Sequence, residues 1–350
     1  MQDAIIVNAT SLNESGALIV LNQFVSHIPE NRYQWLVFVS ERILITPRQY
    51  NVRIEQIAGV KSMLNRFLWD IYGLNKWIKR KSINPIACIS LQNTGFRVNK
   101  KNIHKFLYFH QSLSLSSDYQ WNPFDKEQRI LRFYKCIYPL FVRLSLTKNT
   151  HVFVQLDFIK HGFAKKYKYP LKDIHTFSPA VLPIDAEPAS DLDVSRLNLF
   201  YPATDYLYKN HATLFQAIKI ADKNVKLYLT AVENDSGCKN VHCLNTIPHP
   251  QIYSIYKACD ALVFPSYMES YGLPLIEAAM IGLPIIAADL PYAREVLEGY
   301  DGVQFVQYDA VQKWKEAIES LQKGQRYKPI DISQRQSWKE MFEYIENTIG

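Results

Sequence analysis

The run Glu269-Ser270-Tyr271-Gly272-Leu273-Pro274-Leu275-Ile276-Glu277 constrains the fold more than any other part of the chain. A continuous apolar stretch, Ala261-Leu262-Val263-Phe264, leads into it and stops at Pro265, as a buried strand would. A helix is expected from about Leu273, because Pro274 suits a first helical turn. It should end near Met280, with Gly282 placed as a C-terminal cap, before a second apolar strand Pro284–Ala288. Strand, glycine turn and helix make an anion site. The first turn of a helix leaves backbone N–H groups unpaired and carries about half a positive charge. The donors would be the amides of Ser270, Tyr271, Gly272 and Leu273. Glu269 and Glu277 would repel a phosphate, so they make better sense as acceptors for hydroxyl groups beside it. A diphosphate flanked by hydroxyl-rich rings, a nucleotide-sugar, has that form. The same spacing is also met by an ordinary βαβ turn with two solvated glutamates.

With 350 residues the chain is long for one domain and comfortable for two, and 48% hydrophobic residues suffice for full cores. No apolar run reaches the roughly 18 residues of a membrane span. Met1–Val7 enters a strand-like segment without a basic stretch or long apolar stretch, so no secretory signal is expected and a cytoplasmic location is. The five cysteines are odd in number and scattered, which suits a reducing compartment. Cys238-x3-His242-Cys243 has the form of half a zinc site, but no second ligand pair stands nearby, and no metal or other cofactor is expected. The net charge of +7 conceals an asymmetry. Residues 1–185 carry 25 Lys and Arg against 12 Asp and Glu, whereas residues 186–350 carry 15 against 21. A basic first half implies an anionic partner: anionic lipid, a diphosphate-linked acceptor or nucleic acid. The acidic second half and the lack of a binding motif count against nucleic acid.

Strand-like and helix-like segments alternate throughout, which argues an α/β fold with parallel sheets. Expected strands are Ala4–Asn8, Trp35–Val39, Ile86–Leu91, Ile103–Phe109, Val152–Gln155, Leu197–Tyr201, Val225–Leu229, Ala261–Phe264 and Pro284–Ala288. Helical stretches include Ala17–Ile28, Lys61–Lys81, Lys126–Leu146, His211–Asp222 and Ile252–Cys259. The segment Pro179–Asp193, with Pro179, Pro183 and Pro188, breaks the pattern where the charge changes sign, and it reads as a linker. The domains are then 1–182 and 183–334. The apolar spacing of Trp338, Phe342 and Ile345 makes 335–350 a terminal helix suited to packing on a protein face.

The ordered run Phe264-Pro265-Ser266-x2-Glu269-Ser270-Tyr271-Gly272-Leu273-Pro274-x2-Glu277-Ala278, continued by Gly282-x-Pro284 and Pro291-Tyr292-Ala293-Arg294-Glu295, resembles the donor-site motif of family 4 retaining glycosyltransferases. Tyr271 stands where that family more often has Phe. The resemblance implies the GT-B fold, two Rossmann-like domains with parallel sheets facing across a cleft. The first domain would bind the acceptor and the second the nucleotide-sugar donor, with the terminal helix crossing back to the first.

Other residues fit the same frame. Lys209 lies at a strand-to-helix turn, Leu199–Pro202 before it and Asn210–Phe215 after, and resembles the family's Lys-Gly or Lys-Asn element. There a lysine can neutralise charge growing on a departing diphosphate. The family's usual Arg is replaced by Ala203, Thr204 and Asp205, leaving a second cation unassigned, with Arg294 or a first-domain residue as candidates. Gly16, after the first strand, would let a backbone amide approach a phosphate, although Ser15 replaces the first of the family's two glycines. His110 ends the strand Lys105–Phe109, where a side chain of an open α/β sheet meets ligand, and it resembles the family's acceptor-side histidine. The loop Ser90–Gly95 also follows a strand and offers amides to sugar hydroxyls. Two basic and aromatic clusters, Lys76–Lys81 and Phe163–Tyr169, suit a peripheral contact with an anionic membrane.

By resemblance, the chemistry is a retaining transfer from nucleotide-sugar to a glycan or lipid-linked glycan, in surface polysaccharide synthesis at the inner membrane face. Lys209 and the amides near Gly272 and Gly16 hold the leaving diphosphate, Glu277 the ribose and Glu269 the sugar hydroxyls. His110, Lys209 and Glu269 are the catalytic candidates. A divalent metal is not required, in keeping with the lack of an Asp-x-Asp motif. Two competing readings are a GT-B nucleotide-sugar epimerase or phosphorylase, and a non-catalytic binding protein with a decayed donor site.

Overall fold

The computed structural model describes residues 3–13, 15–60, 62–98, 100, 103–116, 121–181, 184–231 and 237–350. Met1, Gln2, Lys61, Leu182 and Pro183, which enter the sequence reading above, lie outside them. The chain divides into two compact units, Met1–Ala180 with Arg335–Gly350, and Val181–Gln334. Both are α/β, with parallel sheets and helices connecting the strands.

Among the described residues the first unit holds seven strands: β1 (Asp3–Asn8), β2 (Gln34–Ser40), β3 (Val52–Ile57), β4 (Asn84–Ser90), β5 (His104–Phe109), β6 (Thr150–Val154) and β7 (Ile174–Thr176). Every pairing is parallel, in the order β3-β2-β1-β4-β5-β6-β7. The order reverses direction between β1 and β4. In an open sheet of this kind, ligands bind at the strands' carboxyl ends beside such a reversal. On one face, helix α1 (Ser15–His27) packs with the terminal helix, α12 (Trp338–Ile349). Their core holds Leu21 and Phe24 of α1, Trp35 of β2, and Trp338, Phe342 and Ile345 of α12, all at most 3% exposed. Phe24 lies edge-on to Trp338 at 6.0 Å and 5.0 Å from Phe342. A capping box starts α12. The Ser337 side chain caps the backbone of the first turn, and Glu340 Oε2 accepts from the Ser337 N–H at 2.8 Å. The Trp338 indole N–H donates to Gln23 Oε1.

Two helices expected to be continuous are broken. Met63–Leu68 (α2) passes through a π turn, Trp69–Gly73, into α3 (Leu74–Arg80). Trp69 packs on Phe38 at 5.7 Å, and a Cβ on Gly73 would come within 2.6 Å of the Trp69 ring, so glycine makes room for the indole. Lys126–Cys136 (α4) and Tyr138–Ser145 (α5) meet at Ile137, because Pro139 cannot donate an in-helix hydrogen bond. The helix Asp157–Tyr167 (α6) follows β6.

Both basic and aromatic clusters differ from their expected role. Trp77 lies edge-on to Phe38 at 4.9 Å, and Phe163 and Tyr167 are buried against Phe109. Tyr169 donates to the Thr147 and Thr150 carbonyls. Helical spacing turns the rings inward and leaves the lysines outside. Exposed apolar side chains of this unit include Met63, Leu64, Phe67 and Leu68 on α2, Tyr72 on the π turn, Ile130 on α4, and Leu140 and Leu144 on α5, with others, such as Leu44 and Phe124, outside these elements. Phe67 touches Phe141 across these elements at 5.9 Å.

The second unit holds β8 (Leu197–Tyr201), β9 (Val225–Leu229), β10 (Val241–Cys243), β11 (Ala261–Phe264), β12 (Ile285–Ala288) and β13 (Val303–Val306). They too pair in parallel, in the order β10-β9-β8-β11-β12-β13, with the reversal between β8 and β11. Its helices are α7 (His211–Ile220), α8 (His249–Ala258), α9 (Leu273–Met280), α10 (Pro291–Val296) and α11 (Val311–Ser320). Among the described residues, no helix is long and apolar enough to cross a membrane.

Candidate active site

In the second unit, β8 and β11 end side by side at the sheet's reversal point. The turn after β8 carries Lys209 and the turn after β11 carries Glu269. Lys209 closes a short 3-10 turn, Leu207–Lys209, whose backbone is pinned from both sides. The Tyr201 hydroxyl donates to the Lys209 carbonyl at 2.8 Å, and the Tyr267 N–H donates to the Tyr208 carbonyl at 3.0 Å. Asn210 follows in the left-handed region at φ 59°, a conformation asparagine tolerates. Its amide donates to the carbonyls of Pro265 and Tyr308, which ties the turn after β8 to those after β11 and after β13. The side chains then meet. Lys209 Nζ donates to Glu269 Oε1 at 2.6 Å, with both groups mostly shielded at 17% and 14% exposure. An ammonium has three hydrogens, so two remain for other oxygens.

Gly272 stands at the entry to α9 with φ 88°, where a side chain would be strained. A Cβ there would meet Leu275 at 3.2 Å and the Tyr292 ring at 3.5 Å. Tyr292 donates from its hydroxyl to the Ser266 carbonyl, fixing the start of the loop. Pro274 occupies the first turn of α9, as its spacing predicts. The backbone N–H groups of Ser270, Gly272 and Leu273 have no acceptor among the described residues. Tyr271 is buried.

Glu277, in the second turn of α9, is 5% exposed and holds one protein donor on each oxygen. His249 Nε2 donates to its Oε1 at 2.8 Å and the Tyr256 hydroxyl to its Oε2 at 3.2 Å. The bond to Glu277 raises the His249 pKa above the usual histidine range. Burial, with the Glu277 charge beside it, pushes the Tyr256 phenol well above the ordinary tyrosine value. Sequence reading missed both residues. It began α8 at Ile252, although Pro250 in a first helical turn is a start signal, so His249 fell outside the helix. Arg294, a candidate second cation, binds Asp289 with Nε at 2.5 Å and Nη2 at 2.9 Å, and lies over the Phe305 ring.

In the first unit, His110 follows β5. Its Nε2 lies 2.9 Å from the Leu91 carbonyl, so that nitrogen carries the proton and Nδ1 is the acceptor. Burial lowers its pKa, against the smaller opposing effect of the Leu91 carbonyl. Its backbone N–H donates to Asn93 Oδ1 at 2.7 Å. Gly16 lies in the first turn of α1, exposed, with open space where a Cβ would stand. The loop Ser90–Gly95 is braced both from within and by neighbouring elements. Ser90 Oγ donates to the Thr94 carbonyl, Gly95 N–H donates to Ser145 Oγ, and Gln92 turns its side chain to Asp70. Among the described residues, no group of three His, Cys, Asp or Glu could hold a metal ion.

Residues 192–340 match the family model described as glycosyl transferases group 1. Among curated proteins, the D-inositol 3-phosphate glycosyltransferase of Corynebacterium diphtheriae is 34% identical over 104 residues, covering 29% of this chain and 24% of that protein. The O-antigen chain mannosyltransferase RfbU of Salmonella typhimurium is 22% identical over 201 residues, 54% of this chain and 55% of that one. The chain thus spans about a quarter to about half the length of these relatives. Among solved structures, WaaG, a glycosyltransferase involved in lipopolysaccharide biosynthesis, aligns with a TM-score of 0.64 over 98% of this chain and 95% of that one at 14% identity. Anabaena HepE, solved in complex with UDP and glucose, aligns with a TM-score of 0.62 over 100% and 99% at 14% identity. The chain has the GT-B fold of these structures, and its residues 192–340 carry the sequence pattern of the group 1 glycosyl transferases.

Proposed function

We propose that this chain is a glycosyltransferase of the family 4 retaining type, moving a sugar from a nucleotide-sugar to a glycan or lipid-linked glycan in surface polysaccharide synthesis. The observation that carries the reading is the Lys209–Glu269 pair at 2.6 Å, beside the unpaired amides that open α9 and at the reversal point of the second sheet. This combination suits a diphosphate joined to a sugar. The amides of Ser270, Gly272 and Leu273 and two hydrogens of Lys209 take phosphate oxygens. Glu269, held by Lys209, accepts from sugar hydroxyls, and Glu277, locked by His249 and Tyr256, accepts from the ribose. In the transfer the bond between the anomeric carbon and the diphosphate breaks, and the acceptor hydroxyl forms the new bond on the same face. The departing phosphate oxygen takes the acceptor's proton. Lys209 stabilises the charge that grows on that oxygen, a role for which no divalent metal is required. His110 Nδ1 accepts a hydrogen bond from a hydroxyl of the acceptor bound to the first unit.

Names of relatives support the polysaccharide setting, since RfbU is an O-antigen chain mannosyltransferase and WaaG acts in lipopolysaccharide biosynthesis. Work at the inner membrane face is supported by the exposed apolar side chains of α2, the π turn, α4 and α5. They are interleaved with Arg66, Arg129, Arg132 and Arg143, a combination suited to anionic headgroups.

Thermal stabilisation by nucleoside diphosphates and nucleotide-sugars, with and without chelator, tests the donor site. One base family should shift the wild-type Tm, with no effect of chelator and no shift in Glu277→Ala. No shift with any nucleotide would overturn the donor assignment. Proton NMR of the product's anomeric signal tests retention, and an inverted configuration would reject it.

A further inference from the structure

A second carboxylate sits at the other reversal point. Asp70 lies on the π turn between α2 and α3, and its side chain reaches the ends of β1 and β4, the two strands between which the first sheet reverses. Asn8 Nδ2 donates to Asp70 Oδ1 at 2.7 Å, and Gln92 Nε2 donates to Oδ2 at 2.8 Å. Both amides face one hydroxyl. Thr10 Oγ1 lies 3.1 Å from Asn8 Oδ1 and 3.2 Å from Gln92 Oε1, with its single hydrogen shared between the two oxygens, and each amide turns its N–H groups to Asp70. Asn8, Thr10 and Gln92 are buried, whereas Asp70 keeps partial exposure. Each carboxylate oxygen thus holds one protein donor and keeps lone-pair capacity for another. Two adjacent oxygens with that capacity match two adjacent hydroxyl groups, both donating.

We propose that Asp70, held by Asn8 and Gln92, is a binding site for a pair of adjacent hydroxyls on a sugar or cyclic polyol. Its assignment to the acceptor rather than to another ligand rests on the glycosyltransferase reading. The backbone geometry supports a ligand role. A π turn inserts one residue into a helix, a device frequent at functional sites, and here the inserted turn carries the carboxylate to the strand ends. The cluster also disfavours its own charge in the absence of ligand. Burial pushes the Asp70 carboxyl up to about 7, opposed by the Asn8 and Gln92 hydrogen bonds and by Arg66 one turn earlier in the helix. The neighbouring titratable group on α5 is Tyr138, whose hydroxyl donates to the Gln92 carbonyl. Hydroxyl donors arriving at the carboxylate would relieve that cost.

The experiment is saturation-transfer NMR on the full chain at about pH 8, with myo-inositol, methyl α-D-mannopyranoside and methyl α-D-glucopyranoside as probes, comparing wild type with Asp70→Asn. At least one probe should receive saturation from wild type and lose about fivefold or more in Asp70→Asn, which replaces one of the two accepting oxygens by a donor. A thermal scan of the same variant separates binding from architecture. A carboxyl whose folded pKa is raised adds stability at low pH and loses it as pH rises through about 7. Asp70→Asn should therefore melt above wild type at about pH 8 and no higher than wild type at about pH 5. No transfer from wild type to any probe, or transfer unchanged in Asp70→Asn, would overturn the site. Equal destabilisation of the variant at both pH values would make Asp70 a structural staple. A nucleotide shift without polyol transfer would reject this inference alone, and polyol transfer without a nucleotide shift would reject the donor reading alone.

Discussion

Lys209 and Glu269 lie 60 positions apart and form a charge pair in the candidate donor site. Each residue type was legible from its place at a strand-to-helix turn. Their contact was not, because it depends on β8 and β11 being neighbours in the sheet. Lys209→Ala should lower transfer by at least about 100-fold and also lower the Tm, since it leaves the shielded Glu269 carboxylate without its cation. Steady-state turnover beside a melting curve checks this, and full activity would remove Lys209 from the mechanism. Gly272→Ala tests the turn itself. A side chain at φ 88° should cost about 1 to 2 kcal/mol and displace the loop against Leu275 and Tyr292, weakening nucleotide binding together with stability. His249 makes a pH prediction. Because its bond to Glu277 favours the protonated ring, its contribution is complete below the usual histidine range and is lost as pH rises through the raised value. A Tm profile across the neutral range should therefore fall more steeply in wild type than in His249→Gln. Parallel profiles would mean that His249 does not titrate with folding.

At the scale of elements, the strands that apolar runs revealed are the inner ones. The four that escaped are β3, β7, β10 and β13, which form the edges of the two sheets. Inner strands such as β8 and β11 are buried at every residue, whereas β3 and β10 alternate or stay half exposed, so their sequences lack a continuous apolar signal. The broken helices escaped for a different reason. Helical spacing continues across the π turn, and only the fit of Trp69 over Gly73 shows where the winding changes. The terminal helix was legible through Trp338, Phe342 and Ile345, but the residues that receive it, Phe24 and Trp35, come from the other end of the chain. Phe342→Ala should cost about 3 to 5 kcal/mol through the cavity it leaves among these rings, measured as a lower denaturation midpoint.

At the scale of the whole molecule, the basic first half and acidic second half fit a protein whose first unit meets an anionic surface. Flotation with vesicles containing phosphatidylglycerol should show binding that weakens with salt and falls in Leu64→Glu with Leu144→Glu. Binding that is equal on neutral vesicles, or unchanged in the double variant, would reject the membrane contact. Both side chains are exposed, at 66% and 72%, so the fold should tolerate the charges.

By itself the sequence determined the α/β class, the parallel character of both sheets and the strand, turn and helix around Gly272, because these follow from local apolar runs, turn residues and helix-start chemistry. Tertiary structure decided which turns became neighbours. It set Lys209 against Glu269, His249 and Tyr256 against Glu277, and Asp70 between Asn8 and Gln92. It also turned the aromatic rings of both basic clusters into the core. Strand order and side-chain packing are long-range outcomes, selected by burial of whole faces rather than by any local run of residues.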